Sequence, residues 1–327
     1  MLPRSEVRSV KSHWIVFSLI SLYLVWGSTY LAIRIGLDSY PPFLLAAIRY
    51  VLAGGVLFLF LRFQRFAIPS KKEWLNSTLV GGLLLVGGNG GVTLAEKWIP
   101  TGLTALIIGT VPLWAALFSS WFGRKPSRVE WIGLGVGFLG VAALSFKGNL
   151  WSAPLGASIA LVAAASWGLG AVLTQQLTLP RGLMSSAAQM LTGGGLLLLL
   201  SFVFGEHVPR NPSEGSWWAL VYLTVFGSLV GYCIFMFLLS RVSSSLATSY
   251  AYVNPLVAAF LGWHYNGETI TAPMMLAGFA ILLSVALITI QRGTTVKIEQ
   301  EKAFSENEPI SSSCEDQDSN CEPCSSK

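Results

Sequence analysis

The chain has 327 residues, 53% of them hydrophobic and only 11% charged, with a mean hydropathy of +0.61 and a formal net charge of +5. A soluble globule needs roughly a quarter of its residues charged to cover its surface, so these values exclude an ordinary soluble fold and leave no room for a sizeable soluble domain. The basic excess lies in loops that flank apolar stretches rather than in one patch, so no nucleic-acid partner is expected.

Apolar stretches of the length that crosses a bilayer, about 17 to 25 residues, recur with little between them. They predict helices at 14–37, 41–62, 74–95, 101–122, 129–147, 154–177, 183–204, 216–239, 244–264 and 271–291. The first is too long for a signal-peptide core and is read as a span. Breaks carry turn chemistry: Tyr40-Pro41-Pro42, Pro69-Ser70, Pro100, Lys125-Pro126, Pro154, Pro180 and the polar run from Glu206 to Ser216. The expected fold class is therefore all-α, a polytopic membrane protein of ten transmembrane helices whose surroundings are the lipid bilayer. Residues 292–327, with Ser311 to Ser313, Glu315, Asp316 and Asp318, are too polar to pack and are expected to form a disordered tail with an unknown partner. Cys233 lies in a span while Cys314, Cys321 and Cys324 crowd that tail, which is no disulfide framework; a lone CxxC pair is weak as a metal site.

Lysine and arginine are retained on the cytoplasmic side of a membrane. One set of loops collects Arg4, Arg8 and Lys11, then Arg62, Arg65, Lys71 and Lys72, then Arg124, Lys125 and Arg128, then Arg181 and Arg241, then Arg292, Lys297, Lys302 and Lys327. The other collects only Lys97, Lys147 and Arg210. Both termini are thus expected in the cytoplasm. The chain also repeats: Leu103, Pro112, Leu113, Ala115, Ala116, Gly135, Ala143 and Leu144 recur as Leu246, Pro255, Leu256, Ala258, Ala259, Gly278, Ala286 and Leu287, at one offset of 143 residues. Trp26-Gly27 has a looser echo in Trp167-Gly168. The expected organisation is a short N-terminal segment (1–13), a first repeat (14–147), a second repeat (154–291) and the tail. Five spans per repeat is an odd number, so the repeats run in opposite directions. Inverted repeats are a recurrent design of secondary transporters, with the substrate near the midplane where they meet.

Candidate lining follows from polar or strained groups inside spans. Pro112 and Pro255, with Thr110 and the run Tyr250, Tyr252 and Asn254 before them, release backbone carbonyls that hydrocarbon does not tolerate. They either serve a cavity or kink a helix for packing. Trp26, Ser28, Thr29 and Tyr30, and Trp167 in the second half, either line a pocket or pack beside glycine. Arg34 and Arg49 lie in or near hydrocarbon, where an ionised side chain costs at least ~2.5 kcal/mol unless paired or hydrated. Glu96 is the expected counter-charge, with Asp38 another. A structural ion pair, a grip on a substrate carboxylate or phosphate, and an outer gate with Glu96 all remain open. Asn89, Gln175 and Tyr232 complete the lining, Asn89 and Tyr232 corresponding at the same offset. Glycines such as Gly87, Gly91 and Gly193 to Gly195 read as surfaces for close helix approach.

No phosphate loop or HExxH pair is present, and His13, His207 and His264 lie apart, so neither an enzyme nor a metal or cofactor is expected. No acidic residue sits deep inside a span; coupling would need Glu96, Glu268 or His264 near one edge.

These motifs together, VWGSTYLAIRIGL, PPFLLAAIRY, GGNGGVTLAEKWIPTGLTALIIGTVPLW and ATSYAYVNPLVA, resemble the EamA-type family of the drug/metabolite transporter superfamily, in its PecM/YedA branch. The likeness covers about residues 14–291. It implies two inverted repeats around a central cavity, and export of small metabolites, amino acids or toxic compounds across a bacterial inner membrane. By matching position, the family's characteristic segments are here Trp26 to Thr29, Arg49, Glu96, Pro112 and Tyr250 to Pro255. The reading is a secondary exporter of a small-molecule substrate working by alternating access. The rival is a membrane scaffold that keeps the fold without transport. Substrate, coupling ion and oligomeric state, a homodimer included, are left open.

Overall fold

The computed structural model describes residues 12–123, 153–241 and 250–267, with isolated positions between and beyond them. Among the described residues all regular structure is helical: α1 (Ser12–Gly36), α2 (Pro42–Phe63), α3 (Lys71–Ala95), α4 (Thr101–Phe122), α5 (Pro154–Gln176), α6 (Leu183–Val203), α7 (Glu214–Arg241) and α8 (Tyr250–Asn266). The first seven are long and apolar enough to cross a membrane, and the chain is a polytopic membrane protein. The expected spans at 129–147 and 271–291, Glu268, residues 1–11 of the N-terminal segment and the tail lie outside the described residues, apart from scattered helical positions in the two spans, and α1 takes in the last two residues of that segment.

Helix ends follow local chemistry. Pro42 and Pro154 start α2 and α5, where a missing N–H costs nothing. Ser70 caps α3 and shares a capping box with Glu73. Gly123, at φ 87°, ends α4 in a conformation that other residues resist. Large apolar side chains such as Phe63, Leu75, Val162, Phe202 and Trp218 face outward, as lipid-facing residues do in a bundle whose helices are apolar on every side.

Packing pairs elements across the two halves. α2 packs most extensively on α6, with Gly54 against Met190 and Leu191 and Gly194 against Tyr50 and Val51. α1 packs on α7 and α8; in exchange, α5 packs on α3 and α4. α4 and α8 also meet. At the start of α5, Gly156 lies against Trp98 and Ile99, while Arg34 near the end of α1 bonds Glu96. So α5 begins at the end of the bundle where α1 finishes.

Two features depart from ten simple rods. α4 breaks at Gly109 and Thr110 into Thr101–Ile108 and Val111–Ser119, followed by one 3₁₀ turn, because Pro112 cannot continue the first segment. α8 instead runs unbroken through Pro255. α3 and α7 each loosen into a π-helix, Gly82–Gly90 and Leu223–Val230. The 143-residue offset carries the first onto 225–233, so the two overlap. Such widened turns cluster at functional sites.

Candidate functional site

The Trp-Gly pairs resolve into two equivalent contacts. The Trp26 ring packs over Gly231 of α7, and the Trp167 ring over Gly88 of α3; an added Cβ would meet each ring at 2.4 and 2.5 Å. Gly88 and Gly231 are 143 residues apart. The neighbouring glycines repeat the arrangement, Gly27 against Val257 of α8 and Gly168 against Trp114 of α4, and Trp114 and Val257 are again 143 apart. Each tryptophan therefore rests on the third helix of the other half, while its glycine admits a helix that carries a proline. Backbone carbonyls of the π segments are met across the halves as well: Trp26 Nε1 donates to Gly227 O at 3.1 Å, and Ser166 Oγ to Leu83 O at 2.8 Å. Packing and lining are thus both served, by different atoms of one motif.

Between these contacts lies a cavity of about 40 Å³. Trp26, Thr29 and Tyr30 from α1, Arg49 from α2, Asn89 from α3, Trp167 from α5, and Tyr250 and Asn254 from α8 line it. The Trp26 ring meets Trp167 edge-on at 5.5 Å and Tyr250 edge-on at 4.8 Å. The Asn254 amide is best oriented with its nitrogen donating to the Tyr23 and Tyr250 carbonyls, at 3.2 and 3.1 Å. At roughly 10–15 Å³ for one water on this measure, the space holds a few waters and no larger solute.

Arg49 is 2% exposed. Its Nη2 donates to Tyr50 Oη at 2.6 Å and Asn89 Oδ1 at 2.7 Å, and its Cζ stands 4.5 Å from the Tyr50 ring centre. Its Nε and Nη1 meet no acceptor. Of the two arginines for which Glu96 is the candidate counter-charge, Arg49 goes instead to neutral groups of α2 and α3. Arg34 is the arginine that reaches Glu96, through the backbone carbonyl at 2.5 Å, and the Glu96 side chain is fully buried at the end of α3.

The other candidates lie elsewhere. Ser28 Oγ shares a 2.6 Å hydrogen bond with Tyr222 Oη outside the cavity lining. Thr110 turns back to Ile107 O at 2.6 Å, and Pro112 is buried in the segment of α4 that packs on α5. Ala251 O, the carbonyl that Pro255 releases, faces Gly109, where a Cβ would stand 3.4 Å away; the proline carbonyl is sheltered by protein. Tyr232 donates to Gln189 Oε1 at 2.5 Å. Gln175 is exposed at the end of α5, where it lines a second space of about 510 Å³ with Ser185, Ser186, Cys233 and Arg241. The Tyr252 side chain lies outside the described residues, and His264 is exposed beside Phe260 and Tyr265. Tyr50 and Gly227 were missed; a tyrosine adjoining an intramembrane arginine was signal enough for the first, whereas nothing in the sequence marks the π segment that presents the second.

At the opposite end of the bundle from that second space, the halves are tied together. Ser39 Oγ accepts from Ser213 N at 3.0 Å and Ser216 Oγ donates to Ile35 O at 2.8 Å. The Glu206 carboxylate accepts from Phe43 N and Leu44 N at 3.2 and 2.7 Å.

A membrane-spanning bundle with a buried polar and aromatic cavity, lined from helices of both halves, has the construction of a multi-pass transporter. The sequence model of the EamA-like transporter family matches residues 13–146 and again 154–290, and the chain belongs to that family. It is 42% identical over 274 residues to YedA, an uncharacterized inner membrane transporter of Escherichia coli (strain K12), a match covering 84% of this chain and 90% of that protein. It is 27% identical over 282 residues to YoaV, an uncharacterized transporter of Bacillus subtilis (strain 168), covering 84% and 96%. A solved crystal structure shares the fold with a TM-score of 0.61 at 19% identity, over 85% of this chain and 98% of that one.

Proposed function

We propose that the protein is a secondary transporter of the bacterial inner membrane that exports small organic metabolites, amino acids or drugs by alternating access. In this reading ten helices form two inverted repeats, both termini lie in the cytoplasm, and the halves rock about the central cavity. The observation that carries it is the cavity itself, where the equivalent Trp26 and Trp167 meet at 5.5 Å, each seated on a glycine of the other half. A site at the meeting of repeats is where such transporters hold their substrate. The opposed starts of α1 and α5, the overlap of the π segments and the split of positive charge support the inversion. YedA, by its name an inner membrane transporter, supports the location.

The small cavity fits a state closed around the midplane, with the ties at Ser39, Ser213 and Glu206 shutting the end that the charge split assigns to the outside. The same small volume is what a scaffold without transport would have, and one assay separates the two. Purified full-length protein is placed in inside-out vesicles and offered a mixed pool of amino acids and aromatic metabolites, with and without a proton gradient. Uptake of a restricted set is expected. Uptake that collapses with the gradient identifies a coupled exporter; no uptake of any pool member favours the scaffold.

A further inference from the structure

Arg49 carries more hydrogen-bonding capacity than the fold uses. Each half bridges its second and third helices with a side-chain pair: Arg49 to Asn89 between α2 and α3, and Tyr232 to Gln189 between α7 and α6. Asn89 and Tyr232 occupy equivalent positions, 143 residues apart. In the second half the bridge is neutral and satisfied, since Gln189 Oε1 accepts from Tyr232 and Gln189 Nε2 donates to Ser185 Oγ at 2.9 Å. A helix bridge at this place therefore needs no charge. The first half nonetheless keeps a guanidinium there, 2% exposed and on the cavity wall, with its Nε–H and Nη1 hydrogens facing no acceptor. Among the described residues it makes no ion pair. A buried cation with unspent donors on a cavity wall is built for an anion.

The kind of anion follows from the rest of the wall. Arg49 is the only basic residue lining the cavity among the described residues, so one negative charge is matched and a doubly charged phosphate is not. A planar guanidinium matches a planar carboxylate in geometry as well as charge. Trp26, Trp167 and Tyr250 offer apolar ring surface on the remaining sides, suited to an apolar or aromatic body. We propose that the solute is a small monocarboxylate, free or as the acid end of a zwitterion, admitted when the cavity widens beyond its present 40 Å³, its carboxylate held by Arg49 Nε and Nη1 and its apolar body against Trp26, Trp167 and Tyr250. This rests on the transporter reading for its direction and cycle, but its binding half stands separately.

The test uses unaltered full-length protein in lipid nanodiscs. Quenching of tryptophan emission is titrated with L-phenylalanine, L-leucine and 3-phenylpropionate, each beside its own carboxamide, and with inorganic phosphate. Each carboxylate that binds is expected to do so at least about tenfold more tightly than its amide, the size of one charge-assisted bond, and phosphate is expected not to bind. Arg49→Gln should remove that preference and Arg49→Lys should retain part of it. Amides that bind as well as acids, phosphate in place of carboxylates, or no binding by any of the three acids each overturns the proposal, and none of these needs a variant to fold. The same compounds are then followed into proteoliposomes. Carboxylates that bind through Arg49 but are never carried leave the site standing and defeat the transporter reading. Neutral or cationic solutes carried in their place defeat the site and leave the transporter reading.

Discussion

At the scale of single residues, glycine decides where helices can touch, and the contacts differ sharply from one glycine to the next. A Cβ at Gly168 would stand 2.8 Å from Trp114 Cβ and 2.9 Å from Ala115 N, whereas one at Gly195 would meet nothing within 4 Å. Backbone cannot yield as a flexible side chain does, so α5 and α4 would have to part. Gly168→Ala should cost about 1–3 kcal/mol by overpacking, while Gly195→Ala should be neutral or gain up to about 1 kcal/mol from helix propensity. Thermal unfolding in detergent checks both, and equal melting temperatures would refute the packing assignment. Gly87, Gly91, Gly193 and Gly194 pack closely, as their placement in the sequence suggests, whereas Gly195, read with them as a packing glycine, faces open space. The partners of such glycines were not legible, because Gly27 and Val257, or Gly88 and Trp167, approach only across the two halves.

At the scale of elements, α2 shows how a helix end is completed from far away in sequence. Pro41 and Pro42 supply no N–H, so the first donors of the helix are Phe43 and Leu44, and both go to Glu206 in the loop after α6. A carboxylate at a helix N-terminus satisfies orphan donors and complements the helix dipole. Removing it in Glu206→Ala should cost about 0.5–2 kcal/mol and speed amide exchange at Phe43 and Leu44, read by hydrogen exchange with mass spectrometry; unchanged exchange there would sink the capping role. In the sequence, Glu206 belongs to a polar loop like any other. The seven described spans were legible almost to their ends, since a bilayer demands long apolar runs and prolines punctuate them. The π segments were not, because apolar runs such as GLLLVGGNG and LTVFGSLV read the same whether the turn holds the usual number of residues or one more.

At the scale of the whole molecule, alternating access requires that the end now tied by Ser39 and Ser213 should open. Ser39 Oγ lies 3.4 Å from Ser213 Oγ, close enough for a disulfide once both are cysteine. In a background with the four native cysteines replaced by serine, oxidising Ser39→Cys/Ser213→Cys is expected to stop uptake, and reduction to restore it. Full uptake with the cross-link formed would show that this end does not need to open.

The sequence by itself determined the membrane, the positions of the described helices and the 143-residue echo, because each rests on a pattern written along the chain: run length, proline placement and one constant offset. It also singled out Trp26, Arg49, Asn89, Trp167, Tyr250 and Asn254, since polar and aromatic groups inside hydrocarbon stand out against it. Only the tertiary structure decided which of these share a cavity. Arg49 meets Tyr50 and Asn89 rather than Glu96, and Gln175 and Tyr232 face elsewhere, because a helix position gives depth but not azimuth. Azimuth is settled where α2 meets α6 and where the tryptophans of α1 and α5 settle onto glycines more than sixty residues distant in the chain, and those close approaches are long-range contacts that no local pattern records.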